Sequence, residues 1–194
     1  MIAVEDTLDS LRHLGIAARE RSSAQICAVT GSVGKTGTKD ALRAVLALQG
    51  ETHASVASYN NHFGVPLTLA RMPESTRYGV FEIGMNHAGE IDPLSRMVAP
   101  HVVCITTVGP VHIENFADGE AGVARAKAEI FAGLEPGGSH HRLCRHLGLP
   151  LPAARPLDPG CVVQLDDGSE AIALWRDPER WRQERERQFP DSQR

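Results

Sequence analysis

The stretch Thr30-Gly31-Ser32-Val33-Gly34-Lys35-Thr36 constrains the fold more than any other part of this sequence. It joins a short apolar run, ending in Ala28-Val29, to a segment of helical character through a glycine-containing turn that closes in Gly-Lys-Thr. Such a turn presents backbone N–H groups and a helix N-terminus to a polyphosphate. Lys35 would reach the β- and γ-phosphates, and Thr36 would offer its hydroxyl to Mg²⁺. The longer phosphate-loop pattern has a further glycine five residues before Gly34, where this chain carries Val29. The match is therefore to the shorter Thr-Gly-x-x-Gly-Lys-Thr form, and the expected ligand of the loop is ATP with Mg²⁺.

The flanking pattern supports that reading. Residues 7–21 read as a helix with Asp6 as N-cap and Leu8, Leu11, Leu14 and Ala18 on one face. Strands are expected at 25–30, 53–57, 78–84 and 102–108. Helices are expected at 36–48, 65–71, 91–98 (with Pro93 in the first turn) and 120–134, the last stopped by Pro136-Gly137-Gly138. This alternation predicts an α/β fold, a mostly parallel sheet bearing a phosphate loop, with helices on both faces. Ligands of such sheets lie beyond the carboxyl ends of the strands.

The pattern changes after Gly138. Residues 139–160 hold three His, three Arg and four Pro with little periodicity, and read as an irregular connection. Residues 161–166 and 170–175, around Asp167-Gly168-Ser169, suit a hairpin, and Asp177-Pro178 opens a mixed-charge helix running to Gln188. Four segments are thus expected: a lead-in helix at 1–22, the nucleotide-binding domain at 23–138, the irregular segment at 139–160 and a tail at 161–194. His140, His141, Cys144 and His146 carry metal-binding groups, although a proline-rich loop rarely fixes four ligands.

Bulk properties exclude several classes. With 42% hydrophobic and 23% charged residues the chain is globular in composition, and a net charge of −4 leaves no electrostatic footprint for nucleic acid. Cys27, Cys104, Cys144 and Cys161 form no Cys-x-x-Cys pair, which suits free thiols in a reducing compartment. No apolar run approaches the ~20 residues needed to span a bilayer, and the start of the chain is acidic rather than signal-like. A cytoplasmic protein without membrane insertion is the expectation.

Four further features fall at the nucleotide end of the expected sheet. Glu82 ends an apolar strand and is placed to hold Mg²⁺, or else is a solvated strand-end carboxylate. His112, in Gly109-Pro110-Val111-His112, follows the fourth strand and either ligates a second Mg²⁺ or faces solvent. Lys127 falls on the apolar stripe of Val123, Ile130, Phe131 and Leu134, so it either meets an anion or modification, or snorkels to the sheet edge. Asn60 and Asn61 either cap the following helix or offer amide donors to a carboxylate or phosphate.

Taken together, these segments resemble the central ATP-binding domain of the Mur ligases. The resemblance is carried by the phosphate loop, by Tyr59-Asn60-Asn61-His62-Phe63-Gly64-Val65-Pro66-Leu67-Thr68-Leu69, and by Phe81-Glu82-Ile83-Gly84-Met85-Asn86-His87-Ala88-Gly89-Glu90-Ile91. His112-Ile113-Glu114 and Ala126-Lys127-Ala128-Glu129-Ile130-Phe131 complete it, over about Val4 to Gly138. Gly-Met-Asn-His followed by Gly-Glu-Ile favours the branch that adds D-Ala-D-Ala to a UDP-muramoyl tripeptide in peptidoglycan synthesis. The resemblance implies that ATP phosphorylates the peptide carboxylate and that the dipeptide amine attacks the acyl phosphate. It implies Thr30 to Thr36 on the nucleotide, Thr36 and Glu82 on Mg²⁺, His112 on a second Mg²⁺, a Lys127 open to carbamylation, and Asn60 and Asn61 near the substrate carboxylate. Lys35, Lys127 and His112 are its implied catalytic residues. A complete ligase of the family has further domains before and after this one, and the resemblance stops where Ser139 begins. The expectation is therefore an incomplete central domain, with a truncated ATP-binding remnant lacking ligase activity as the alternative. The Arg, Pro and His bias beyond Gly138 is what a frame change in GC-rich coding DNA produces, and a sheet lacking its next strand would expose an edge.

Overall fold

The computed structural model describes residues 3–135 and 139–142, with 163–164 and 170–171 beyond them. The chain divides into two units, residues 1–151 and 152–194. In the first, five parallel strands lie in the order β2-β3-β1-β4-β5: β1 Gln25–Thr30, β2 Thr52–Ala54, β3 Tyr78–Glu82, β4 Val102–Ile105 and β5 Ser139–Arg142. The helices are α1 Thr7–Glu20, α2 Lys35–Leu46, α3 Gly64–Ala70, α4 Ile91–Val98 and α5 Glu120–Ala128.

The central strands read as unbroken apolar runs because both of their faces are covered. Ile26, Ala28, Phe81, Val103 and Ile105 point into a large core with Val65 and Leu69 of α3, Ile91 and Leu94 of α4, and Val123 of α5. Val29, Val80 and Cys104 face the other way, where Leu42 and Leu46 of α2 cover them. Burial there pushes the thiol of Cys27 up to about 12, so it is an inert apolar group. The expected parallel sheet with helices on both faces is present.

Several boundaries differ from the sequence expectation, each for a local reason. Asp6 caps α1 by accepting the Asp9 N–H at 2.8 Å, but Leu14 is 62% exposed rather than inward. Gly15 takes the inward place, because α1 packs so closely on α3 that a Cβ there would lie 3.0 Å from the Pro66 carbonyl oxygen. The helix expected over 120–134 ends as α at Ala128 and tightens into a 3₁₀ turn over Glu129–Gly133. The Glu129 carboxylate there accepts N–H bonds from Gly89, Ile91 and Asp92, an anion at the start of α4. β2, β3 and β4 end earlier than expected, at Ala54, Glu82 and Ile105, because the chain beyond them turns into loops that clasp one another.

The largest correction concerns Ser139–Arg142. Expected to be irregular and outside the domain, this segment pairs in parallel with β4 along its whole length, Val102 opposite Ser139 and Ile105 opposite Arg142. The edge of β4 that the sequence left open is therefore covered. In the second unit Val163–Gln164 (β6) and Glu170–Ala171 (β7) pair antiparallel, in line with the expected hairpin. The expected helix at 177–188 lies outside the described residues, as do the side chains of His140, His141, Cys144 and His146. Among the described residues no helix is long and apolar enough to cross a membrane.

Candidate functional site

The loop between β1 and α2 turns on two glycines. Gly34 (φ 86°) is the N-cap of α2, and Gly31 has φ 153°, both outside the range comfortable for a side chain. Gly31 is also under direct pressure, since a Cβ there would fall on the Thr106 hydroxyl. Thr106 and Thr107, which follow β4, hold the loop from above. The Thr106 hydroxyl donates to the Val33 carbonyl at 2.6 Å. The Thr107 hydroxyl accepts the Val33 N–H at 3.0 Å, and the Thr107 carbonyl accepts the Ser32 N–H at 2.9 Å. Ser32 and Gly109 bond each other as well, the Gly109 N–H donating to Ser32 Oγ at 3.0 Å. Sequence reasoning missed this clasp. The signal was there in two threonines ending a strand that neighbours the loop-bearing strand.

Lys35 opens α2 and folds its ammonium back over the loop, donating to the Gly31 carbonyl at 2.7 Å. Burial holds this lysine below the usual amine value, and the charge of Glu82 works in the opposite direction. One residue on, the Thr36 hydroxyl donates to Oε2 of Glu82 at 2.9 Å. Glu82 is 1% exposed, not a solvated strand end. Its other oxygen accepts the Asn60 side-chain amide at 2.8 Å, and its N–H donates to Ser55 Oγ at 3.2 Å.

The two adjacent asparagines divide the alternatives between them. Asn61 caps α3, its Oδ1 accepting the N–H groups of Phe63 at 3.1 Å and Gly64 at 2.9 Å. Asn60 donates to a carboxylate, that of Glu82, while its own carbonyl accepts the Gly84 N–H at 2.8 Å. A Cβ on Gly84 would sit 2.8 Å from Asn60 Oδ1, so a larger residue there would push the Asn60 amide away from Glu82.

Thr36, Glu82, Asn60 and the loop thus form one hydrogen-bonded assembly. His112 lies on the loop after β4, half-buried and at φ 61°, in the left-handed region that histidine enters more readily than most side chains. Lys127 lies on the inward face of α5 at 3% exposure, beside buried Val123 and Ala126, which is the face its spacing predicted.

A hydroxyl and a carboxylate facing each other at the mouth of a phosphate loop are hard oxygen donors of the kind Mg²⁺ takes. Among the described residues no three His, Cys, Asp or Glu side chains gather into a metal site. The donor set fits an ion that keeps its remaining positions for phosphate oxygens and water.

Comparison with known proteins converges on one family. The Mur ligase middle domain matches residues 29–142, a span that takes in β5. The UDP-N-acetylmuramoyl-tripeptide--D-alanyl-D-alanine ligase of Bacillus subtilis is 44% identical over 138 residues, which are 71% of this chain and 30% of the relative. Its Escherichia coli counterpart is 37% identical over 137 residues, again 71% of this chain and 30% of the relative. Among solved structures, MurF of Acinetobacter baumannii superposes with a TM-score of 0.69 at 38% identity, covering 73% of this chain and 31% of that one. The MurF ligase of Thermotoga maritima, solved in complex with ADP, gives 0.66 at 26% identity, covering 73% and 33%. The chain therefore spans about 30% of the length of the relatives it matches.

Proposed function

The chain belongs to the Mur ligase family, and on that premise we propose that it supplies the ATP-binding middle domain of a cytoplasmic ligase joining D-Ala-D-Ala to a UDP-muramoyl tripeptide. The observation that carries the reading is the meeting of the Thr36 hydroxyl and the buried Glu82 carboxylate beside a Gly-Lys-Thr phosphate loop. The ADP-bound neighbour and the D-alanyl-D-alanine ligases among the relatives support the nucleotide and the substrates.

In this mechanism the γ-phosphoryl group of ATP passes to the carboxylate of the tripeptide, giving an acyl phosphate and ADP. The amine of D-Ala-D-Ala attacks the acyl carbon, and phosphate leaves the tetrahedral intermediate as the amide forms. The transferring group carries spread negative charge, so the protein's task is positioning and neutralisation. Lys35 exchanges the Gly31 carbonyl for phosphate oxygens, and the N–H groups at the start of α2 face the same anion. Thr36 and Glu82 would hold Mg²⁺, which supplies charge neutralisation on the phosphates when bound. Asn60 keeps Glu82 turned toward Thr36, and Asn61 fixes the start of α3 beside it; both border the place where the peptide carboxylate would enter. His112 would serve a second Mg²⁺. Carbamylation of Lys127 would turn a buried cation into an anion able to join it. In domain terms, the lead-in helix at 1–22 and the nucleotide-binding domain at 23–138 act together, with Ser139–Arg142 joining the domain as β5.

A chimera tests this reading. Residues 23–142 replace the matching segment of the Bacillus subtilis ligase, and ADP release is followed with each substrate omitted in turn. Release that needs both UDP-muramoyl tripeptide and D-Ala-D-Ala is expected, and Lys35→Ala in the chimera should abolish it. A folded chimera that binds Mg-ATP yet releases no ADP with both substrates present counts against the ligase assignment.

A further inference from the structure

Lys39 lies on α2 one turn after Thr36 and on the same face, at i, i+3, with only 2% of its surface exposed. Lysines are almost never fully buried unless their charge is answered. Here the ammonium donates to the carbonyls of Ser55 at 3.0 Å and Ala57 at 2.8 Å, and it pairs with the Asp40 carboxylate at 3.2 Å. Those partners match the three donors of an ammonium one for one. The two carbonyls belong to the turn where the chain leaves β2, and Ala57 there has φ 48°, a backbone that a residue with a Cβ takes only when its surroundings impose it.

That turn leads directly to the candidate metal ligand. Ser55 Oγ accepts the Glu82 N–H, and three residues past Ala57 the Asn60 amide donates to Glu82 Oε1. Glu82 Oε2 then returns to α2 through Thr36. The bonds close a ring from Lys39 through the 55–60 loop to Glu82, Thr36 and α2 again.

We propose that Lys39 is a positioning residue for the Mg²⁺–phosphate site: by clamping the turn at 55–57 it sets Asn60, and through Asn60 it sets the Glu82 carboxylate against Thr36. The proposal rests on Thr36 and Glu82 being magnesium ligands. Removing the ammonium leaves two inward carbonyls without a donor, so the turn must shift toward water, and Asn60 shifts with it.

The test is calorimetric titration of ADP into the whole chain, with and without Mg²⁺. Lys39→Met is expected to reduce the Mg²⁺-dependent gain in ADP affinity about tenfold, the scale at which groups orienting a metal ligand act. Affinity for ADP without metal should stay at the wild-type value. In a Glu82→Gln background the same substitution should add no further loss, since the group it orients is gone. Unchanged metal dependence in folded Lys39→Met overturns the proposal. So does an equal loss with and without metal, which is what a lysine holding only the fold would give. Where Lys39→Met does not fold, Lys39→Gln takes its place, since its shorter, uncharged amide loosens the hold on the two carbonyls, and an unchanged ratio there overturns the proposal equally. Wild-type binding that ignores Mg²⁺ overturns the reading of Thr36 and Glu82 themselves, and this proposal with it, before any substitution is made.

Discussion

At the carboxyl end of the sheet a cation on α2, Lys39, holds the carbonyls of Ser55 and Ala57. At the amino end a cation on α1, Arg19, does the same for Val98 and Ala99, its Nε and Nη2 each donating at 2.8 Å, with Ser22 accepting a third bond at 3.3 Å. Beside it the Ile26 N–H of β1 donates to His101 Nδ1 at 3.0 Å. Both ends answer the same problem, loops that leave backbone carbonyls without ladder partners where strands begin or stop. They differ in where their bonds finish. The Lys39 ring ends on Thr36 and Glu82, side chains whose mutual bond would be exchanged for Mg²⁺ and phosphate under the proposed function. The Arg19 set ends on backbone groups, which have nothing to trade. Under the proposed function, a binding site and a structural brace are built with one device, and the difference lies in whether the last link is exchangeable.

Substitutions at the carboxyl end should therefore strike binding first. Lys35→Ala removes the charge that would meet the phosphates, and Mg-ADP affinity in a calorimetric titration should fall about a hundredfold, or about 3 kcal/mol, with the fold intact. Gly31→Ala comes next, because it combines a strained φ with a clash on Thr106. Together these should cost about 2–3 kcal/mol in urea unfolding, and nucleotide affinity should drop as the loop is pushed from its clasp. A Gly31→Ala chain with unchanged stability would mean that the clasp yields freely, and the contrast between the two ends would weaken.

At the amino end the order reverses. Arg19→Ala should lower stability by about 2 kcal/mol, through the loss of charged hydrogen bonds to the carbonyls after α4, and leave Mg-ADP affinity unchanged. Denaturant unfolding and titration on the same preparation check both halves. Equal damage to binding would show that α1 and α4 set the phosphate loop as well, and that the two ends are not independent.

How much of this was legible in the sequence depended on whether the deciding contacts were local. β1, α2 and α4 follow from apolar runs, a Gly-Lys-Thr turn and a proline in a first turn, and the structure has them within a residue or two. Glu82 could be picked out because an acidic residue ending an apolar strand has few places to go. Ser139–Arg142 could not be read as a strand, since its residues are polar and its structure comes from the free edge of β4. Leu14 was misassigned for a related reason: helix period alone does not reveal that Gly15 must pass within contact of Pro66. Lys39 and Ser55 were invisible because their roles exist only once loops distant in sequence close over one another, and Thr106 and Thr107 offered no more than their place at the end of a strand. Lys127 was legible as buried, since its stripe is helical and local, whereas its partner is a question of tertiary placement.

The smallest expected effect separates the ends by pH. His101 accepts the Ile26 N–H at Nδ1, so the folded chain requires its neutral form. Burial, with the Arg19 charge adding to it and Glu135 opposing, holds this imidazole below the ordinary 6.5. His53 is held low as well, by burial first, against the bond to the Thr68 carbonyl and with Arg71 lowering it further. When the folded value lies below the unfolded one, the unfolded chain binds more protons between the two, so stability rises with pH there. The contribution is complete above 6.5 and is lost as pH falls through the lowered folded values. Urea midpoints at pH 7.5 and 5.5 should therefore fall toward acid, and His101→Gln, which keeps an acceptor but cannot be protonated, should flatten part of that fall. Mg-ADP affinity at pH 7.5 should not change in that variant, because its only role is at the amino end. If His101→Gln keeps the full acid loss, the proton is taken up elsewhere, and His53, whose Nε2 meets the Thr68 carbonyl of α3 and which burial also holds low, is the group to substitute next.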